Sequence, residues 1–151
     1  MEIKIGDLLK SDAPAIIHQC NCFHTMGGGI AAQLAHKYPE VYEADLKTPY
    51  GEREKLGDFS FAEIKDSKLK YVINLYSQFD YGYGRHTNYE ALEKGLDKAL
   101  GFLYDNEINR VGLPYLIGCG LAGGNEKTVL EILEKVQSLH QKINIELYKL
   151  K

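Results

Sequence analysis

Tryptophan is absent from this 151-residue chain, proline occurs four times, and no apolar run approaches the roughly 20 residues that a membrane-spanning helix requires. Basic charge is not in excess. Eighteen Lys and Arg face 21 Asp and Glu, a formal net charge of -3. That balance argues against a generally basic nucleic-acid binder but leaves room for a local anion pocket. Cysteine is sparse and odd in number, with three residues and no secretory signal. Both features point to a reducing cytoplasm and not to a disulfide framework. The P-loop pattern G-x-x-x-x-G-K-[ST] is missing, as are internal repeats, linkers and low-complexity segments.

What is present suits one globular domain spanning 1–151. Apolar residues make up 44% and charged residues 26%, and a chain of this length can bury a sizeable core. Residues 1–5 alternate, with Met1, Ile3 and Ile5 on one side, as a strand does. Ala15 to Cys20 reads as a buried strand, and a helix follows from about Gly29 to Tyr38, interrupted by Pro39. A second helical stretch covers Glu40 to Leu46, and 51–58 reads as a polar loop. Phe59 to Ile64 and Leu69 to Tyr76 are strands, the latter so continuously apolar that it belongs in the middle of a sheet. Thr87 or Asn88 can cap a helix running to about Tyr104, with an apolar stripe at helical spacing. The strand Arg110–Leu113, a helix from Asn125 or Glu126 to about Gln141 and an alternating strand over 143–148 complete the pattern. Strands separated by helices predict a three-layer α/β/α domain with a mixed, mostly parallel six-stranded sheet.

Two glycine-rich loops stand out. Gly27-Gly28-Gly29 follows the strand at 15–20 and opens a helix, and Ile117-Gly118-Cys119-Gly120-Leu121-Ala122-Gly123-Gly124 follows the strand at 110–113 and precedes another. Glycines let backbone N–H groups approach an anion, and a helix start adds unpaired donors with a partial positive charge. Two such loops suit two phosphates, or one phosphate clamped from both sides. A third stretch, 77–88, is rich in Tyr and Gly and also follows a strand; Tyr81, Tyr83, Arg85 and His86 are candidates for stacking on, or closing over, a ligand. All three lie at strand carboxyl ends, where such folds bind ligands.

Single residues leave alternatives open. Asp7 can cap the turn at Leu8-Leu9-Lys10 or accept from a base amino group, and position alone favours the cap. His18 is either a core histidine or an acid–base group. Asn21, an amide beside a glycine loop, suits ribose hydroxyls or phosphate. His18, Cys20, Cys22 and His24 stand at every second position. In an extended chain four such residues span about 20 Å and cannot surround one ion, so no metal is expected. The cysteines suit small buried packing residues better than nucleophiles.

These motifs, in this order and spacing, resemble the macrodomain, the ADP-ribose-binding fold. The resemblance rests on Gly6-Asp7, HQCNCFHTMGGGIA at 18–31, NYEAL at 88–92, Pro114 and IGCGLAGG at 117–124. It is nearest to the branch of ADP-ribose 1''-phosphate phosphatases and terminal ADP-ribose–protein glycohydrolases. The resemblance implies that Asp7 binds the adenine amino group, reversing the cap preference, and that Asn21 holds the distal ribose. Gly27, Gly28, Gly29 and Ile30 would cradle one phosphate. Gly118, Cys119, Gly120, Leu121 and Ala122 would wrap the other phosphate and the distal ribose. Leu8, Cys20, Met26, Ala31 and Ile117 complete the implied ligand-binding set, and His18 matches the histidine proposed to act in the phosphatases. The glycohydrolase pattern is broken: no lysine occurs from 71 to 93, and Ala122 stands where that pattern has an aspartate. A lysine-adduct route needs both. The resemblance therefore implies hydrolysis of ADP-ribose 1''-phosphate, with an ADP-ribose reader or a hydrolase of ADP-ribosylated macromolecules as alternatives. It implies no cofactor, no metal, no membrane, and a cytoplasmic monomer.

Overall fold

The structure is a computed structural model that describes residues 1–65, 67–81, 86–119 and 122–150. In chain order it runs β1 (Glu2–Ile5), a 3-10 turn (Leu8–Lys10), β2 (Ala15–Cys20), α1 (Gly29–Lys37) and α2 (Pro39–Leu46). A second 3-10 turn (Arg53–Lys55), β3 (Phe59–Glu63), β4 (Tyr71–Tyr76), α3 (Tyr89–Asp105), β5 (Arg110–Pro114), α4 (Glu126–Leu139) and β6 (Asn144–Lys149) follow. The strands form one six-stranded sheet in the order β1-β6-β5-β2-β4-β3. Every pairing is parallel except that of β3 with β4. This is the mixed, mostly parallel sheet that the alternation of strands and helices predicts.

The sheet is covered on both faces. Leu92, Leu96 and Leu100 of α3 and Val129, Leu133 and Val136 of α4 pack on Ile17, Ile73, Leu113 and Leu147. On the other face Leu34 of α1 and Val41 of α2 pack on Ile16, Val72 and Tyr76. Because side chains alternate along a strand, β2 sends Ile17 to one layer and Ile16 to the other, which is why its run is apolar without a break. The register sets His18 of β2 opposite Asn74 of β4, and Asn74 opposite Ser60 of β3, so a polar row crosses three strands on the α1/α2 face.

Several expectations change. The alternation in β1 marks a strand, yet Ile3 and Ile5 are 57% and 63% exposed, and Met1 is exposed as well. β1 is an edge strand that pairs only with β6, and the helical layer stops short of it. Pro39 does not interrupt a helix but begins α2, where its missing N–H costs nothing. The polar run 51–58 contains the second 3-10 turn, and its Lys55 is buried. Asn88, not Thr87, caps α3, its side chain accepting from the Ala91 N–H at 2.9 Å. α4 ends at Leu139, two residues earlier than its pattern suggests. No helix among the described residues is long and apolar enough to cross a membrane.

Candidate functional site

Strands β2, β4 and β5 run parallel, so their carboxyl ends share one rim. A cleft of about 690 Å³ opens there. The end of β2 contributes Gln19, Cys20 and Asn21 to its lining, and the first glycine loop contributes Thr25 through Gly29 with Ile30 and Ala31 of α1. Gln78 and Tyr81 come from the loop after β4, and Pro114, Leu116, Ile117, Gly118 and Ala122 from the end of β5 and the second glycine loop. The three stretches singled out at strand ends therefore meet. No charged side chain and no histidine is among the described lining residues.

The first glycine loop is open. Gly28 is the N-cap of α1 and supplies no side-chain hydrogen bond. The first N–H groups of α1 therefore keep the unpaired donors and positive end of an uncapped helix, and Gly27, Gly28 and Gly29 are exposed. Asn21 shapes the loop: its Oδ1 accepts from the Phe23 N–H at 2.8 Å and its Nδ2 donates to the Thr25 carbonyl at 3.0 Å. One amide hydrogen and one lone pair remain.

The second glycine loop is held both by its own backbone and from outside. The Gly118 carbonyl accepts from Thr87 Oγ1 at 2.6 Å and from the Gly124 N–H at 2.8 Å. The Ala122 carbonyl accepts from the His86 N–H at 2.7 Å. The Cys119 N–H is committed to the Leu116 carbonyl at 2.9 Å, and Cys119 is not in the lining, so its expected part in wrapping a phosphate has no free donor. Gly120 and Leu121, together with Tyr83 and Arg85, lie outside the described residues.

His18 does not reach the cleft. Its side chain is fully buried and its Nε2 hydrogen-bonds Asn74 Oδ1 at 2.7 Å. Burial lowers its pKa to about 4, the Asn74 bond opposing that shift. The imidazole therefore has no surface in the cleft, the setting of the core histidine that the sequence also allows. Burial likewise raises the Cys20 thiol well above its usual range and Cys22 to about 11, and raises Cys119. Only Cys20 of the three lines the cleft, and it does so as a thiol. His24 of the alternating set is turned away, its Nε2 lying 2.7 Å from the Thr48 carbonyl.

Asp7 and Leu8 also stand outside the lining. Asp7 Oδ1 accepts from the Leu9 N–H at 3.0 Å, so the cap reading holds for that oxygen. Leu8 is buried in the core. Beside the mouth, Phe23 packs edge-on against Tyr50, Phe79 and Tyr81, and the Arg53 guanidinium sits 3.9 Å over the Phe79 ring. Among the described residues, the Nζ of Lys55 is the one buried side-chain nitrogen or oxygen with no hydrogen-bond partner, and it lies 4.5 Å from the Tyr76 ring centre. Sequence reasoning missed Gln19, Thr25, Gln78 and Leu116. Gln19 was within reach, since strand alternation puts it on the face opposite His18.

Residues 17–133 match the model of the Macro domain. The chain belongs to the macrodomain family. An uncharacterized 17.5 kDa protein of Enterobacteria phage T4 is 36% identical over 137 residues, covering 88% of this macrodomain chain and 87% of the phage protein. Relatives with named activities match over short stretches. The ADP-ribose 1''-phosphate phosphatase of Saccharomyces cerevisiae is 53% identical over 38 residues, 24% of this chain and 22% of that protein. The DNA ADP-ribosyl glycohydrolase of Mycobacterium tuberculosis is 46% identical over 39 residues, 26% of this chain and 11% of that protein. Among solved structures, the macrodomain of Thermus aquaticus DarG superposes with a TM-score of 0.82 at 20% identity, over 98% of this chain and 97% of that one. Thermosipho africanus DarTG in complex with ADP-ribose superposes at 0.78 with 17% identity, over 99% of this macrodomain and 42% of that chain. These two likenesses establish the macrodomain fold.

Proposed function

We propose that the cleft binds ADP-ribose. The observation that carries this reading is the convergence of two glycine-rich backbone segments, one at an uncapped helix start, on a single cleft whose described lining has no charged side chain. A diphosphate held there would be met by backbone dipoles, which bind anions without a counter-ion. Asn21, with half of its amide still free, would meet the distal ribose. Asp7, which stands outside the lining and whose Oδ1 is used by its cap, would give its second oxygen to the adenine amino group.

Hydrolysis of ADP-ribose 1''-phosphate is the second reading, favoured by the short, 53% identical match to the yeast phosphatase. In this cleft such turnover would rely on backbone donors and a positioned water, because His18 is sealed beneath it. Removal of ADP-ribose through a lysine adduct finds no amine among the described lining residues.

Calorimetric titration with ADP-ribose, followed by assay of phosphate release from ADP-ribose 1''-phosphate, tests both. Binding without release is the expected result and supports a recognition module. Binding with rapid release moves the assignment to the phosphatase. Failure to bind ADP-ribose overturns the role given to both glycine loops.

A further inference from the structure

Thr87 lies just before α3, yet it does not cap that helix; Asn88 does. It is buried at 4% exposure. Its Oγ1 accepts from Gln19 Nε2 at 3.2 Å, and Gln19 Nε2 also donates to Ser77 Oγ at 2.9 Å. With a lone pair used by Gln19, the Thr87 hydroxyl proton points to the Gly118 carbonyl 2.6 Å away. The same carbonyl takes the Gly124 N–H at 2.8 Å. Gly118 lines the cleft, whereas Thr87 and Gly124 do not.

This matters because Gly118 holds a backbone conformation that glycine can leave easily. Its φ is +81°, and a Cβ there would stand 3.0 Å from Thr87 Oγ1 and 3.1 Å from Gln19 Nε2. Turning the peptide unit that joins Gly118 to Cys119 would point its carbonyl at the cleft, where the negative end would repel an anion. The glycine backbone itself sets little against that turn; the opposition comes from the carbonyl's bonds to Thr87 and Gly124 and from the Cys119 N–H bond to the Leu116 carbonyl.

We infer that Thr87 is a positioning residue for ligand selection: with Gln19 directing its hydroxyl, it pins the Gly118 carbonyl away from the cleft and so keeps the second glycine loop selective for a phosphate. This rests on the reading of the cleft as an ADP-ribose site. Beyond the Gly124 N–H, the device comes from outside the glycine loops, from the segment between β4 and α3 and from the cleft-lining end of β2.

The test compares Thr87→Val, which keeps the shape and removes the hydroxyl, with Thr87→Ser, which keeps the hydroxyl. Calorimetry with ADP-ribose and with adenosine is paired with amide hydrogen exchange of the unliganded proteins. Thr87→Val should weaken ADP-ribose by about tenfold or more, the scale of one buried hydrogen bond, and leave adenosine within about twofold. Thr87→Ser should bind both ligands like the native protein. The Gly124 amide should exchange about tenfold faster in Thr87→Val, while amides in the middle of α4 keep their native rates. Unchanged ADP-ribose affinity, a parallel loss of adenosine, or unchanged exchange at Gly124 would each overturn the inference. If the native protein binds no ADP-ribose, the functional reading falls, and exchange at Gly124 still decides whether Thr87 holds the loop.

Discussion

His18 Nε2 and Asn74 Oδ1 lie 2.7 Å apart across the paired strands β2 and β4, with neither side chain exposed. The partners of Asn74 fix which atom donates. Its Nδ2 donates to the Val41 carbonyl at 3.0 Å and to Ser60 Oγ at 3.1 Å. Oδ1 is therefore an acceptor, and the His18 proton resides on Nε2. The sequence of donors continues in one direction: the Ser60 hydroxyl to Tyr76 Oη at 2.8 Å, and Tyr76 to Asp45 Oδ1 at 2.6 Å. This buried chain ties β2, β4 and β3 to α2, and it is complete while His18 Nε2 carries its proton and Asp45 is available as an acceptor.

Burial of His18 gives the protein a signature in acid. His18 has its pKa lowered to about 4 in the folded state, chiefly by burial, against about 6.5 when unfolded. Between these values the unfolded chain binds the extra proton, so stability rises with pH and falls as pH drops from about 6.5 towards 4. The full contribution is about 3 kcal/mol. His18→Gln can donate to Asn74 but cannot titrate. Urea unfolding at pH 7 and at pH 4.5 should show a smaller loss for His18→Gln than for the native protein. Equal losses would mean that His18 does not set this part of the pH dependence.

Glu146 should matter to folding although it does not line the cleft. It is buried on β6, and its Oε2 lies 3.0 Å from Lys4 Nζ and 3.1 Å from Arg110 Nε. Removing it would leave two cations without their shared partner, although each is 35% exposed and can turn partly to water. Glu146→Ala should cost about 3 kcal/mol in urea unfolding, the low end for a broken buried pair. Glu93→Ala breaks the exposed pair with Lys135, at 2.9 Å, and should cost less than about 1 kcal/mol. Similar losses for the two would remove the distinction between the sites.

The elements and their meeting point were legible because they depend on local periodicity and on glycine. The apolar stripe of α3 and the unbroken run of β4 identify themselves, and parallel strands carry three loops to one rim. What failed was information about partners distant in sequence. Alternation in β1 marks a strand but cannot tell that its Ile3 and Ile5 lie beyond the edge of the helical layer. His18 has the chemistry of a catalytic residue, and only its Asn74 partner, 56 residues away, shows that it is sealed. Lys55 sits in a run of charges that reads as solvated loop, yet it is buried against Tyr76. Thr87 could be read as a helix cap, because its bond to Gly118 spans 31 residues.

Gly27 offers the cleanest separation of ligand binding from stability. It is exposed, it lines the cleft, and a Cβ there would meet nothing within 4 Å. Gly27→Ala should therefore change folding stability by less than about 0.5 kcal/mol, as surface substitutions do. The added methyl group would still stand where an anion must approach the N-terminus of α1, so ADP-ribose affinity should fall by about tenfold or more. Gly29→Ala behaves differently, since Gly29 has a φ of +56° and a side chain there costs about 1 kcal/mol of folding stability as well. Calorimetry and urea unfolding on both variants separate the two effects. Native affinity in Gly27→Ala would show that the phosphate does not rest on this helix start, and would leave the second glycine loop as its only backbone cradle.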